Sequence, residues 1–87
     1  MEVTDYFRRN VLENPDRSGI TQEMCERVVE AGEHVVRQPN GRFAFWGRPQ
    51  GRKLYLRVVV TGDRRALHNA FFDTGFTRQQ RRGEYEG

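Results

Sequence analysis

Apolar residues recur along this chain first at helical and then at strand spacing, and the change falls near residue 34. Phe7 and Val11 lie four apart, and Tyr6 and Leu12 widen that face, so 4–15 reads as a short helix. Thr4 can take a free backbone N–H as its N-cap, and Asp5 suits the positive helix end. Pro15 has no N–H and ends the helix. After the turn "DRSGI", Met24, Cys25, Val28 and Val29 form a second stripe, with Glu23, Glu26, Arg27 and Glu30 off it. Thr21 caps this second helix, and Gly32 can adopt the positive φ that terminates it.

Beyond that point the period is two. "HVVRQ" (34–38) reads as a strand, and Asn40-Gly41 as a hairpin turn. "RFAFWGR" (42–48) is its return strand, and "PQG" turns again. "KLYLRVVVT" (53–61) alternates cleanly, with Leu54, Leu56, Val58 and Val60 on one face and Tyr55, Arg57, Val59 and Thr61 on the other. "GDRR" leads into "ALHNAFF" (66–72). Short connections force antiparallel neighbours. The expected fold is therefore α+β, with two N-terminal helices on one face of a four-stranded antiparallel meander. The expected domain is 1–76, followed by a polar, flexible tail over 77–87. The outer strands of that sheet would be 34–38 and 66–72.

Alternation also sorts the side chains. With Leu67 and Phe71 taken as core, Asn69 points inward with them and His68 outward. An inward Asn implies a bulge or a buried hydrogen bond. With Phe43 and Phe45 as core, the open face collects Arg37 or Gln38, Arg42, Trp46, Tyr55, Arg57 and His68. Plainer roles exist for several of these. Trp46 could pack on the tail or form a dimer contact, and Arg57 could pair with Asp63 or Asp73. Cys25 fits a core thiol, and His34 fits a residue at the helix end or strand start.

Charge sharpens this picture. Residues 1–33 carry four Arg against eight acidic residues, a net of −4. Residues 34–87 carry ten Arg and one Lys against four acidic residues, a net of +7. A basic half of this kind favours polyanion partners such as RNA, DNA or an acidic protein. The single cysteine cannot form an internal disulfide, no apolar run is long enough to span a membrane, and the N-terminus lacks a signal-peptide core. These features point to a cytoplasmic protein with no membrane partner. No metal and no cofactor is expected, because the sequence contains no Cys/His cluster.

The segments "ITQEMCERVVEAGEHVVRQPNGRFAFWGR", "LYLRVVV" and "LHNAFFD" resemble the small BrnT-related domains of unknown function, within the wider RelE/ParE-like toxin superfamily. The resemblance spans 6–76. It implies a two-helix, four-strand unit, relatives that cut RNA, usually on the ribosome, and a partner antitoxin protein. Related domains often carry a His followed by an Arg on the first helix. Here "DYFRRN" supplies Arg8 and Arg9 and no His.

RNA cleavage without a metal needs a group to act on the 2′-hydroxyl and cations to hold the phosphate. The candidates are His68, Arg57 and Tyr55 for catalysis, and Arg42, Trp46, Arg37 and Arg48 for holding nucleic acid. Arg forks match phosphates, and aromatic rings stack bases. The reading is a toxin-like endoribonuclease. The alternative is a non-catalytic module that binds nucleic acid, an acidic partner or a second copy of itself on the same face.

Overall fold

The computed structural model describes residues 1–86 as a five-stranded sheet with helices on both sides. Thr4 Oγ accepts the Phe7 N–H at 3.1 Å and opens α1 (Asp5–Phe7). The chain then widens into a π-helical turn, Arg8–Leu12, closed by Glu13 N–H donating to Arg8 O at 2.9 Å. A single 3₁₀ turn, Pro15–Arg17, starts on Asn14. Thr21 caps α2 (Gln22–Ala31), and Gly32 ends it at φ 58°. Both caps and both stops are the ones expected from sequence.

The strands are β1 (Glu2–Val3), β2 (His34–Arg37), β3 (Phe43–Gly47), β4 (Tyr55–Val60) and β5 (Ala66–Asp73), in the spatial order β1-β5-β4-β3-β2. Strands β2 to β5 form the expected antiparallel meander. The four-stranded, two-helix expectation needs three corrections. β1 adds a parallel fifth strand on β5, through Glu2–Ala66 and Val3–Leu67. Two residues carry no readable alternation, so only the tertiary pairing defines this strand. β5 is consequently not an outer strand along its first part. β4 starts at Tyr55, leaving Leu54 outside the strand and 37% exposed.

The third correction is α3 (Thr74–Glu86), a helix where a polar tail was expected from residue 77. Asp73 starts it by accepting the Phe76 N–H at 2.9 Å, and Thr77 ties it to β4 by accepting the Tyr55 N–H at 2.8 Å. The helix crosses the expected domain boundary at 76/77. Gly87, the last residue of that expected tail, lies outside the described residues.

The core lies between the first helices and the sheet. Phe7, Val11, Ile20, Cys25 and Val28 meet Phe45, Leu56, Val58, Val60, Leu67 and Ala70. Removing each large side chain from water contributes about 1.5–3 kcal/mol, and these contacts fix which sheet face is inside. Gly47 lets α2 approach, since a Cβ there would stand 3.2 Å from both Val28 methyls. Burial holds the Cys25 thiol up at about 12, which fits a core residue and not a nucleophile. No described helix is long and apolar enough to cross a membrane.

Candidate active site

The outer sheet face is set by cross-strand pairs. Trp46 opposes Arg57, Ala44 opposes Val59, and Arg57 opposes Phe71, so these side chains share one face. α3 covers one end of it. Trp46 stacks on Phe76 with centroids 5.0 Å apart, Tyr55 and His34 meet Phe76 edge-on, and the Trp46 indole donates to Asp73 Oδ2 at 3.0 Å. Trp46 therefore packs on the C-terminal segment, the plainer of its expected roles. The same cover makes Trp46 and Tyr55 unsuited to stacking a base or acting on RNA. Their rings are taken up by Phe76 within the chain, so they are not free to anchor a dimer through this face. Burial pushes the Asp73 carboxyl up, but hydrogen bonds from Phe76 and Trp46 and the Arg57 charge outweigh it and hold the carboxyl below its ordinary value.

The other end of this face is open. Tyr6, Gln38, Arg42, Arg57, Val59, His68 and Asn69 surround a concavity of about 430 Å³. A break in β5 builds it. Val59 pairs with Asn69 and Val60 with Leu67, so His68 has no partner across the ladder. This bulge keeps Leu67, Ala70 and Phe72 on the core side and turns His68, Asn69 and Phe71 toward the outer face. The expected inward placement of Asn69 and Phe71 is therefore corrected. Strict alternation fails at the one inserted residue. Asn69 Oδ1 accepts from Arg17 and from the Ala70 N–H, both at 2.9 Å, which holds the bulge closed.

His68 is fixed from both sides. Its ring stacks on Tyr6 at 4.9 Å, and its Nδ1 lies 3.1 Å from Thr4 Oγ, the same atom that caps α1. With the Nδ1 proton directed at that oxygen, Nε2 keeps a free lone pair. With the hydroxyl donating instead, Nε2 carries the proton. Burial pushes the imidazolium below its ordinary value, and the Arg42 charge adds to the effect, so the ring is neutral near pH 7.

The cations are held differently. Arg57 has its guanidinium over Trp46 at 5.5 Å and over Phe71 at 5.2 Å. Among the described residues, neither Arg57 nor Arg42 forms an ion pair, so the expected pairing of Arg57 with Asp63 or Asp73 is absent at contact distance. Both forks are left for an anion. Stacking limits the side-chain entropy that Arg57 would lose on binding one.

Of the residues expected from sequence, His68, Arg57 and Arg42 meet at this concavity. Arg37 pairs with Phe43 and so lies on the helix face, and Gln38 takes its place. Arg48 lies at 6.0 Å from the Tyr55 ring, beside α2, away from the concavity. Sequence reasoning missed Tyr6, which it placed on the buried face of the first helix. Tyr6 is 43% exposed, and its ring stacks on His68 at the concavity instead of entering the core. No protein-family model, no curated protein and no solved structure matches the chain.

Proposed function

We propose that this chain is a toxin-like endoribonuclease of toxin–antitoxin type that cleaves single-stranded RNA in the concavity at the β5 bulge. The observation that carries this reading is the meeting of a neutral, hydrogen-bonded His68 with two unpaired Arg forks, Arg42 and Arg57, around one open concavity. His68 Nε2 takes the proton of a 2′-hydroxyl. The 2′-oxygen attacks the adjacent phosphorus, a 2′,3′-cyclic phosphate forms, and the 5′-oxygen leaves and takes a proton from solvent. Arg42 and Arg57 hold the non-bridging oxygens as their charge grows. Tyr6, stacked on His68 by one face and 43% exposed, offers a base the ring that Trp46 was expected to offer. The relation to BrnT-like and RelE-like toxins belongs to the same proposal, as does a partner protein that would block the concavity.

A second reading is a non-catalytic module that holds RNA at the same place. It draws on His68 being the one His lining the concavity, where acid–base cleavage commonly uses two groups. Induced expression in a bacterial host separates the two readings, with growth and total RNA followed beside an Arg57→Ala/His68→Ala variant. Growth arrest with RNA cut at sites that a 2′-deoxy substitution protects, lost in the variant, supports the nuclease. Intact RNA with salt-sensitive retention of single strands supports the module. No retention even at low salt removes both.

A further inference from the structure

The two outer edges of the sheet are finished differently. At the β5 side, β1 pairs with Ala66 and Leu67, Thr4 N–H donates to Leu67 O at 3.0 Å, and Arg17 reaches Ala70 O at 3.4 Å. β2 pairs only with β3 among the described residues. It contains no proline, no lysine and no bulge, and it leaves Val35 41% and Val36 54% exposed. β2 is short and ends in Arg37, but its centre, Val35–Val36, is apolar and exposed, and an exposed apolar edge is a template for another strand.

The direction of its free backbone groups follows from one bond. Gln38 donates its N–H to Arg42 O at 2.7 Å. In an antiparallel ladder the hydrogen-bonded positions alternate, so Gln38, Val36 and His34 face β3. Arg37 and Val35 then direct N–H and C=O at the free edge, and Glu33 lies in the bend just before β2. Val35 and Arg37 oppose Phe45 and Phe43, which puts both side chains on the helix face. Glu33, two residues before Val35, lines the groove beside α2 on that same side.

We propose that two copies of this chain pair antiparallel through β2, with Val35 of one copy opposite Val35 of the other and Glu33 opposite Arg37 at both ends. This register satisfies the outward backbone groups, sets valine on valine, and makes two cross-strand ion pairs. Glu33 and Arg37 are both exposed, and neither has an ion-pair partner among the described residues. Registers centred on His34 or Val36 keep the hydrogen-bond parity but set Val35 against Glu33 or Arg37. Charge complementarity therefore selects the Val35-centred pairing. The twofold axis runs normal to the sheet, so the concavities of both copies open on the same side.

Sedimentation of the whole chain over a dilution series tests this without RNA. The wild type is expected to dissociate from dimer to monomer on dilution. Arg37→Glu places like charges at both ends and is expected to raise the dissociation constant about tenfold. Glu33→Arg should do the same, and the double variant Glu33→Arg/Arg37→Glu should restore the wild-type value. Val35→Pro removes an outward N–H and leaves the β3 ladder intact, so it should give a folded monomer by circular dichroism. A wild type that stays monomeric at every concentration overturns the proposal. So does a dimer indifferent to Arg37→Glu, or a double variant as weak as the singles. None of these results bears on whether RNA is cut.

Discussion

Thr4 Oγ does two jobs at the residue scale: it accepts the Phe7 N–H and it meets His68 Nδ1. Thr4→Ala should cost about 1 kcal/mol of stability through the lost cap. It should also free the His68 ring, whereas Thr4→Ser should retain both functions. Denaturant titration of the three proteins checks the first effect, and NMR of the His68 ring nitrogens checks the second. His68 should titrate below its ordinary value of 6.5, which NMR of the ring nitrogens can follow. Burial is the larger cause, so Arg42→Gln should raise the value only part of the way back. A ring that titrates above 6.5 would remove the neutral base from the proposed mechanism. His68 and Arg57 were legible as outward-facing residues because β4 and the start of β5 alternate cleanly. Asn69 was not, because a single inserted residue reverses the parity of everything after it.

Among the elements, α3 decides how much of the sheet face is available. It covers Trp46 and Tyr55 through Phe76 and leaves the Arg42–His68 end open. Phe76→Ala should cost about 3 kcal/mol, the usual range for removing a packed aromatic side chain. It should also move Trp46 fluorescence to the red, since the indole loses its stacking partner. Unchanged emission would mean that α3 does not rest on this face in solution. The helix was hard to read because its stretch is polar and its packing residues, Phe76 and Thr77, sit at one end. Its start depends on Asp73 leaving the last position of β5 and capping the next turn.

For the molecule as a whole, acid should destabilise the fold. His68 is lowered on folding, so the unfolded chain takes this proton first, near 6.5. Stability is thus fully present above that value and is lost as the pH falls toward the folded one. Asp73 adds a second loss of the same sign, beginning near 3.8. Denaturation midpoints should fall between pH 7 and pH 5, and His68→Gln should flatten that part of the profile. Electrostatics sets a further expectation. If two phosphates are held by Arg42 and Arg57, the logarithm of RNA affinity should fall against the logarithm of salt with a slope of about −1.4. Arg57→Ala should roughly halve that slope.

The amino-acid sequence alone determined the helix caps, the stops at Pro15 and Gly32, the order of the four meander strands and the identity of most core residues. These follow from interactions within a few residues and from periodicities of 3.6 and two. It also determined that the chain divides into an acidic and a basic part. Only the tertiary structure decided that Glu2–Val3 is a strand, that β5 bulges at His68 and that α3 folds back over Trp46. Each of these depends on contacts between residues far apart in the chain. A two-residue strand has no local signal, a bulge is defined only against its partner strand, and a polar helix docks through one aromatic ring. For that reason the basic and aromatic residues that alternation spread along one face divide, in the fold, into a covered aromatic end and an open end with Arg42, Arg57 and His68.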